Sequence, residues 1–244
     1  MSGTLYIVPT PVGNMDDMSP RAIDILRNVN LILAEDTRTS APLLKRFDIN
    51  VKLQSHHKFN EHSNTTPIIE RLKSGENIAL ISDAGTPGIS DPGFMLSREC
   101  RLNGLKVITL PGPTAFVPAL INSGLPCERF VFQGFLPMKK GRKTRLEEIA
   151  KCEMTTIIYE SPLRTIKTLK ELSQVCGSDR EASVSREISK LYEETLRGSL
   201  NELIETFSQR EQIKGEIVII LAPERLREKK EHKNKYLSQK MRSE

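Results

Sequence analysis

The sequence predicts an α/β protein made of two α/β domains. Short apolar segments alternate with helix-like segments along most of the chain, which is the pattern of strands connected through helices. In the first half, three of the apolar segments end in loops rich in glycine and proline. In the second half, segments 182–185 and 192–197 are separated by only a few polar residues. That spacing favours an antiparallel hairpin in an otherwise largely parallel arrangement.

The individual strands and helices follow from local signals. Apolar runs predict strands at 4–8, 30–34, 77–82, 105–110, 129–133, 155–159, 182–185, 192–197 and 215–221. Three helices are expected after Ser19-Pro20, Asp91-Pro92 and Ser161-Pro162, because the side-chain oxygen accepts an unpaired amide and proline fits the first turn. Further helices are expected to begin near Thr65 or Thr66, Thr114, Arg142 and Ser199.

A Pro-Gly-Pro sequence and the distribution of charge suggest the domain limits. We expect a first domain over 1–113, ending at a Pro-Gly-Pro sequence, a second over 114–224, and a basic tail over 225–244. The tail has eight Lys/Arg against three Asp/Glu, which equals the net charge of +5 for the whole chain. Such a tail either binds polyanions or is a solvated terminus that aids solubility. A second basic cluster at 139–145 favours nucleic acid.

Composition excludes several classes of protein. No apolar window is long enough to span a bilayer, and the N-terminus lacks a secretory pattern, so we expect a cytoplasmic protein with no membrane partner. The four cysteines form no C-x-x-C pair. Dinucleotide, P-loop and seryl-hydrolase motifs are absent. His56, His57 and His62 match no familiar zinc spacing, so no metal is expected.

The most informative segment is the loop from Ser82 to Gly93, directly after an apolar strand. Its glycines allow the backbone to approach a ligand closely, and its prolines stiffen the turn. Similar loops follow two other strands, at 10–14 and 111–115. Parallel strands point the same way, so the three loops should meet at one sheet edge and form a small-molecule site. The alternative is three ordinary tight turns, with Asp91-Pro92 capping a helix.

Carboxylates also stand at strand ends. Glu35 and Asp36 follow one apolar run, and Glu160 follows another. At such positions they can act as general bases or bind ligand hydroxyls. The alternative for Glu35 and Asp36 is that one of them caps the next helix and pairs with Arg38.

Seven motifs together match a known family. They are Pro9–Asn14, Ala34–Arg38, Ser82–Gly93, Leu110–Ala115, Phe132–Pro137, Tyr159–Arg164 and Arg186–Lys190. In this order and spacing the chain resembles the bacterial small-subunit ribosomal RNA 2′-O-ribose methyltransferases of the tetrapyrrole-methylase superfamily. The resemblance extends from about residue 4 to residue 222.

The resemblance implies a class III methyltransferase fold, with S-adenosylmethionine held in a cleft between two α/β domains, usually in a homodimer. It implies methylation of the ribose 2′-oxygen of a cytidine in the decoding centre of 16S rRNA, offered as free RNA or as the 30S subunit. By motif, the cofactor contacts would be Pro11, Asp83, Gly85, Thr86, Ile89, Thr114 and Ala115. Tyr159 and Ala222 would add contacts from the second domain.

The implied chemistry is an in-line methyl transfer, for which the protein mainly aligns the hydroxyl with the methyl group. A base that accepts the hydroxyl proton would help, and the candidates are Glu35, Asp36 and Glu160, with His57 behind them. RNA phosphates would be bound by Arg38, Arg164 and Arg186, and by Lys139, Lys140, Arg142 and Lys143 of the basic cluster.

Two other functions remain open from the sequence. The same fold and cofactor could serve a tetrapyrrole precursor, or the chain could be a non-catalytic RNA-binding protein of ribosome assembly. Aromatic residues make up only 5% of the chain and tryptophan is absent. We therefore expect shape and phosphate contacts, rather than base stacking, to dominate RNA binding.

Overall fold

The computed structural model describes residues 1–224, so the predicted basic tail lies outside the described residues. The chain divides into two compact units. Among the described residues, the first comprises Met1–Ala119 and Ser185–Glu194, and the second comprises Leu120–Val184 and residues 195–224. The sequence placed a boundary after residue 113 and did not anticipate that Ser185–Glu194 belongs with the first unit. No change of composition marks that segment.

The first unit is built on one parallel sheet. Its strands are β1 (Thr4–Ile7), β2 (Leu31–Ala34), β3 (Leu53–Ser55), β4 (Ile78–Ile81) and β5 (Lys106–Thr109), in the order β3-β2-β4-β1-β5. Every neighbouring pair is parallel. The helices of this part of the chain are α1 (Pro20–Asn28), α2 (Thr37–Arg46), α3 (Glu61–Lys73), α4 (Phe94–Leu102) and α5 (Phe116–Ser123).

The central strands β2 and β4 of the first unit's sheet are buried on both faces. In β2, Leu31 and Leu33 belong to one apolar cluster, whereas Ile32 and Ala34 belong to the other. Alternate side chains of a strand point to opposite faces, so a strand with helices on both sides is apolar throughout. This explains the uninterrupted apolar runs in the sequence.

The second unit has a mixed sheet. Its strands are β6 (Phe130–Phe135), β7 (Thr155–Glu160), β8 (Glu181–Arg186), β9 (Glu194–Ser199) and β10 (Ile217–Leu221), in the order β6-β7-β10-β8-β9. Strand β7 is parallel to β6 and antiparallel to β10. The two segments expected to form a hairpin are β8 and β9, which are neighbours in this sheet. The helices are α6 (Arg142–Ala150), α7 (Thr165–Cys176) and α8 (Leu200–Ser208).

Capping signals were mostly reliable. Ser19 Oγ accepts the Ala22 amide at the start of α1, and Ser199 forms a capping box with Glu202 at the start of α8. Helix α4, however, begins at Phe94 with Gly93 as its N-cap, not at the Asp91-Pro92 pair. Helix α3 begins at Glu61, earlier than the expected threonines.

Strand β3 was not predicted, and helix α2 was expected only in the alternative in which Glu35 or Asp36 caps the next helix. Strand β3 has only three residues, all half-buried, and α2 contains an internal proline. Within residues 1–224, no helix has both the length and the apolar composition needed to cross a membrane.

Candidate active site

The loops after β1 and β4 are joined by main-chain hydrogen bonds. The Thr10 amide donates to the Gly85 carbonyl at 2.9 Å, and the Gly85 amide donates to the Thr10 carbonyl at 3.0 Å. The Thr10 hydroxyl donates to the Ser82 carbonyl at 3.0 Å. Gly85 has a φ of +82°, where other residues would be strained. The two loops therefore form one continuous backbone surface at the carboxyl edge of the sheet.

The loop after β5 is attached to the same surface. The Thr86 hydroxyl donates to the Pro113 carbonyl at 2.9 Å and lies 2.8 Å from the Thr114 hydroxyl. The predicted convergence of three Gly/Pro loops is thus confirmed, because independent turns would not need these bonds. The first-unit residues that the resemblance implies as cofactor contacts all lie in the joined loops; they are Pro11, Asp83, Gly85, Thr86, Ile89, Thr114 and Ala115.

The loop after β2 adds Asp36, which has structural partners. Its amide donates to Asp83 Oδ1 at 3.2 Å. Its carboxylate accepts the Arg38 amide at 2.8 Å, which caps α2, and pairs with the Arg38 guanidinium at 2.7 Å. Hydrogen bonds from Arg38 lower the pKa of Asp36 to about 2. The capping alternative considered from the sequence is therefore present in the structure, and Asp36 is a weak base.

Glu35 has different surroundings. It is half-buried, and burial is the main cause that raises the pKa of its carboxyl. The charge of Asp83 raises this pKa further, while His57 partly offsets the effect. Burial also raises the pKa of Asp83. A carboxylate with a raised pKa accepts a proton more readily, which suits Glu35 to general-base chemistry.

The histidine cluster supports the same loops. His56 is fully buried, and its Nε2 lies 3.8 Å from the Glu61 carboxylate. Glu61 Oε1 accepts the Gly93 amide at 3.0 Å and so links α3 to the end of the loop after β4. Burial lowers the pKa of His56, although the charge of Glu61 partly offsets this. Among residues 1–224, no group of three or more His, Cys, Asp or Glu side chains could hold a metal ion.

The segment Ser185–Glu194 packs on the loop after β1. A methyl group added at Gly13 would lie 2.7 Å from the Ile188 carbonyl oxygen and 2.5 Å from Lys190 Cγ. Only glycine allows this approach, so the Arg186–Lys190 motif rests on the backbone of the Pro9–Asn14 motif. Arg186, an expected phosphate ligand, pairs with Glu194 at 2.7 Å.

In the second unit Glu160 is an internal residue. It is only 2% exposed. Its Oε1 accepts the Ser161 amide at 2.8 Å and pairs with the Arg164 guanidinium at 2.7 Å, and its Oε2 accepts the Thr168 hydroxyl at 2.6 Å. A carboxylate with these partners orients its neighbours and is poorly placed to accept a substrate proton. Arg164, in turn, has its charge balanced by Glu160.

The basic cluster of the sequence divides in the structure. Arg142 is 6% exposed, and its guanidinium donates to Thr168, to Glu171 and to the Pro137 carbonyl. Arg142 therefore has an internal role, unlike the phosphate-binding role expected for it. Lys139, Lys140 and Lys143 are exposed.

The two second-unit cofactor candidates lie apart. The register pairs Tyr159 with Val218, so Ala222 lies four residues further along the neighbouring strand. At the usual rise per residue this separation is roughly 13 Å. Tyr159 lies at the carboxyl end of β7, whereas buried Ala222 donates its amide to the Glu181 carbonyl.

The fold and the joined loops define a class of protein. Residues 4–204 match the family model for Tetrapyrrole (Corrin/Porphyrin) Methylases, so the chain belongs to the tetrapyrrole methylase family. Solved structures agree on the fold. A diphthine synthase superposes with a TM-score of 0.71 at 15% identity, covering 90% of each chain. A cobalt precorrin-4 methyltransferase superposes with a TM-score of 0.66 at 16% identity, covering 90% of this chain and 94% of its own.

More similar sequences carry one shared name, Ribosomal RNA small subunit methyltransferase I. The protein of Xylella fastidiosa is 48% identical and covers 90% of this chain and 81% of its own length. The protein of Bacillus subtilis is 46% identical, and the match covers 90% of this chain and 75% of that protein. The protein of Synechocystis sp. is 45% identical, and the match covers 90% of this chain and 79% of that protein.

Proposed function

We propose that this chain is an S-adenosylmethionine-dependent methyltransferase that methylates the ribose 2′-oxygen of a cytidine in the decoding centre of 16S rRNA. The names of the relatives support ribosomal RNA as the substrate class. The structural observation that carries the proposal is the continuous loop surface held together by the Thr10–Gly85 and Thr86–Thr114 contacts. We further propose a homodimer and a cytoplasmic location.

The residues of this surface fit the methyl donor. It combines main-chain groups, threonine hydroxyls and an exposed carboxylate at Asp83, next to half-buried Glu35. S-adenosylmethionine has an amino group, ribose hydroxyls and a positive sulfonium centre, so a hydroxyl-bearing and acidic edge complements it. Pro11, Gly85, Thr86, Ile89, Thr114 and Ala115 would hold the donor by shape and backbone contacts. Tyr159 and Ala222 stay as weaker predictions from the resemblance.

The chain's own contribution to the reaction is alignment and proton transfer. The bound donor supplies an electrophilic methyl group, and a ribose hydroxyl is a weak nucleophile. Among the candidate carboxylates, Glu35 is best placed to accept a proton, because Asp36 is paired with Arg38 and the buried Glu160 already accepts hydrogen bonds from Ser161 and Thr168. We therefore propose Glu35 as the base that accepts the hydroxyl proton. His57 is close enough for its charge to affect the pKa of Glu35.

We propose that RNA phosphates are bound by exposed cations. Arg38, Lys139, Lys140 and Lys143 are exposed and carry the positive charge that a polyanion needs. Arg164 and Arg186 are weaker predictions, because their side chains are only 24% and 20% exposed and each pairs with a carboxylate, whereas Arg38 pairs with Asp36 but is 90% exposed. We do not propose Arg142 as a phosphate ligand, because its guanidinium forms hydrogen bonds inside the second unit.

The test is methyl transfer to three substrates in parallel. Radiolabelled S-adenosylmethionine is offered with 30S subunits, naked 16S rRNA or a porphyrinogen, and labelled RNA is mapped by nuclease digestion. We expect label in one ribose-methylated cytidine. Label in the porphyrinogen alone would overturn the RNA substrate and keep the donor. Absence of both transfer and donor binding would leave an RNA-binding protein.

A further inference from the structure

The Phe132–Pro137 motif contains a feature that the methyl-donor surface does not explain. Strand β6 has a register shift between Phe132 and Gly134, where β6 pairs with β7. Gly134 has a φ of +61°. These are the marks of a β-bulge, which adds one residue to a strand and redirects the side chains that follow it.

The bulge brings two phenylalanines together. In a regular strand Phe132 and Phe135 would point to opposite faces, since they are three residues apart. Here both rings contact Tyr159, with centroid distances of 5.1 Å from Phe132 and 5.7 Å from Phe135. The extra residue therefore places Phe135 on the Phe132–Tyr159 face, and the three rings form one aromatic group with edge-to-face packing.

Phe135 leaves this aromatic group open to solvent, and exposed lysines follow it closely in the chain. Phe135 ends β6 and remains 54% exposed, although it packs on Tyr159. The segment that follows it contains Met138, which is 74% exposed, and then exposed Lys139 and Lys140. An exposed aromatic ring followed within five residues by two exposed lysines matches what unpaired nucleic acid requires, because bases stack on rings while phosphates pair with ammonium groups.

We infer that Phe135, supported by Phe132 and Tyr159, is a stacking site for an unpaired nucleobase of the RNA substrate, and that Lys139 and Lys140 bind the adjoining phosphates. This inference rests on the proposed function and adds the surface that holds the RNA. The other source of a nucleobase ring is the adenine of the methyl donor. That donor has no phosphate, so it would leave the lysines unexplained. RNA accounts for both the ring and the charges.

The experiment compares Phe135→Leu with Phe135→Trp in the full-length protein, and uses Phe130→Leu as the matched control. Phe130 begins the same strand and is 41% exposed. Affinity is measured by fluorescence anisotropy with a labelled oligocytidylate, and donor affinity by calorimetry. We expect Phe135→Leu to weaken RNA binding by about 5- to 150-fold, the range that corresponds to the stacking of one base. Phe135→Trp and Phe130→Leu should bind as the wild type does.

The outcomes separate this inference from the proposed function. Unchanged RNA affinity in Phe135→Leu, with the wild type still methylating 16S rRNA, would overturn the stacking site alone. Weaker donor binding with normal RNA binding would assign the ring to adenine and overturn the inference. A changed oligomeric state on gel filtration would instead make the ring a contact between copies. Failure of the wild type to methylate RNA would overturn the proposed function itself.

Thermal unfolding distinguishes the loss of an RNA contact from a loss of folded protein. Leucine keeps most of the apolar contact with Tyr159, so Phe135→Leu should unfold within a few degrees of the wild type. Weaker RNA binding together with normal unfolding supports the inference. A decrease in affinity that only follows the unfolded fraction, and that is reversed at lower temperature, would count against it.

Discussion

At the residue scale, Glu35 and Asp36 are adjacent in the chain, but their surroundings shift their pKa values in opposite directions. Asp36 caps α2 and binds Arg38, which lowers its pKa to about 2. Glu35 is half-buried near Asp83, and these surroundings raise its pKa. Two carboxylates that the sequence could not rank are thus distinguished by their neighbours.

The first prediction concerns these two carboxylates. We expect Glu35→Gln to lower kcat by about 10²- to 10⁴-fold, the usual contribution of a general base, with little change in donor affinity. Asp36→Asn should retain most activity, since asparagine also caps helices well. The measurement is single-turnover methyl transfer at saturating RNA. A larger loss in Asp36→Asn than in Glu35→Gln would reverse the assignment.

The second prediction concerns His56 and pH. Burial lowers the pKa of His56 below 6.5 in the folded state, with Glu61 and His57 as its charged neighbours. The unfolded chain therefore binds a proton at higher pH than the folded chain does. The contribution of His56 to the free energy of unfolding is therefore fully present above the pKa that His56 has in the unfolded chain. It is lost as the pH falls from that pKa to the lower pKa of His56 in the folded protein. The loss is at most about 1.4 kcal/mol per pH unit.

Urea unfolding from pH 8 to pH 5 measures this effect. We expect His56→Phe to flatten the pH dependence of the unfolding free energy in that range. His57→Gln is the control, because His57 is only half-buried. An unchanged pH dependence in His56→Phe would show that another group titrates there.

At the scale of the elements, helix α6 begins with two basic residues that have different roles. Arg142 points inward and joins α6 to Thr168 and Glu171 on α7. Lys143, the next residue, has a side chain that is 91% exposed. Neighbouring residues of a helix point about 100° apart, so one basic run serves both the interior and the surface.

The third prediction separates the two roles. We expect Arg142→Ala to lower the free energy of unfolding by about 2–4 kcal/mol, because Glu171 and Thr168 lose their partner. Lys143→Ala should change stability by less than about 0.5 kcal/mol and should weaken RNA binding. Chemical denaturation and RNA anisotropy on both variants provide the test. A stable Arg142→Ala with the greater RNA defect would restore Arg142 to the phosphate-binding set.

Loops rich in glycine and proline were predictable from sequence, and so was their convergence, because parallel strands place their carboxyl ends together. Two things were not predictable. Helix α2 carries Pro42 in its interior, and a proline there usually ends a helix. The contact between Glu61 and the Gly93 amide joins the first residue of α3 to the end of the loop after β4, and no local pattern indicates such a pairing.

Site residues show the same limit. The sequence identified Glu160 as a candidate base because it follows a strand, and Arg142 as a candidate phosphate ligand because it lies in a basic run. Both side chains are buried and hydrogen-bond to Thr168 of α7, a residue that no local pattern connects with either of them. The β-bulge at Gly134 was equally hidden, since a glycine in a strand is compatible with several backbone geometries.

At the scale of the whole molecule, charge is concentrated at one end of the chain. The residues before 225 sum to zero, and the tail carries the entire net charge of +5. Counterion release makes RNA affinity fall with salt in proportion to the number of phosphates neutralised.

The fourth prediction uses this distribution. We expect deletion of 225–244 to make the slope of log Kd against log salt concentration shallower by about 0.7 for each phosphate that the tail neutralises in the wild type. A full-length variant with the eight basic tail residues changed to glutamine should give the same slope as the deletion. An unchanged slope in both variants would show that the tail does not contact RNA.

The assignment of Ser185–Glu194 to the first unit has a consequence for synthesis. The sheet of that unit is complete once Thr109 has been made, but the loop after β1 rests on Ile188 and Lys190, which emerge much later. Translation proceeds at about 5–20 residues per second, so this loop lacks its support for several seconds on each nascent chain. The candidate active site is therefore assembled only when the second unit has been largely translated, and a fragment ending near residue 119 would contain the strands without a finished site.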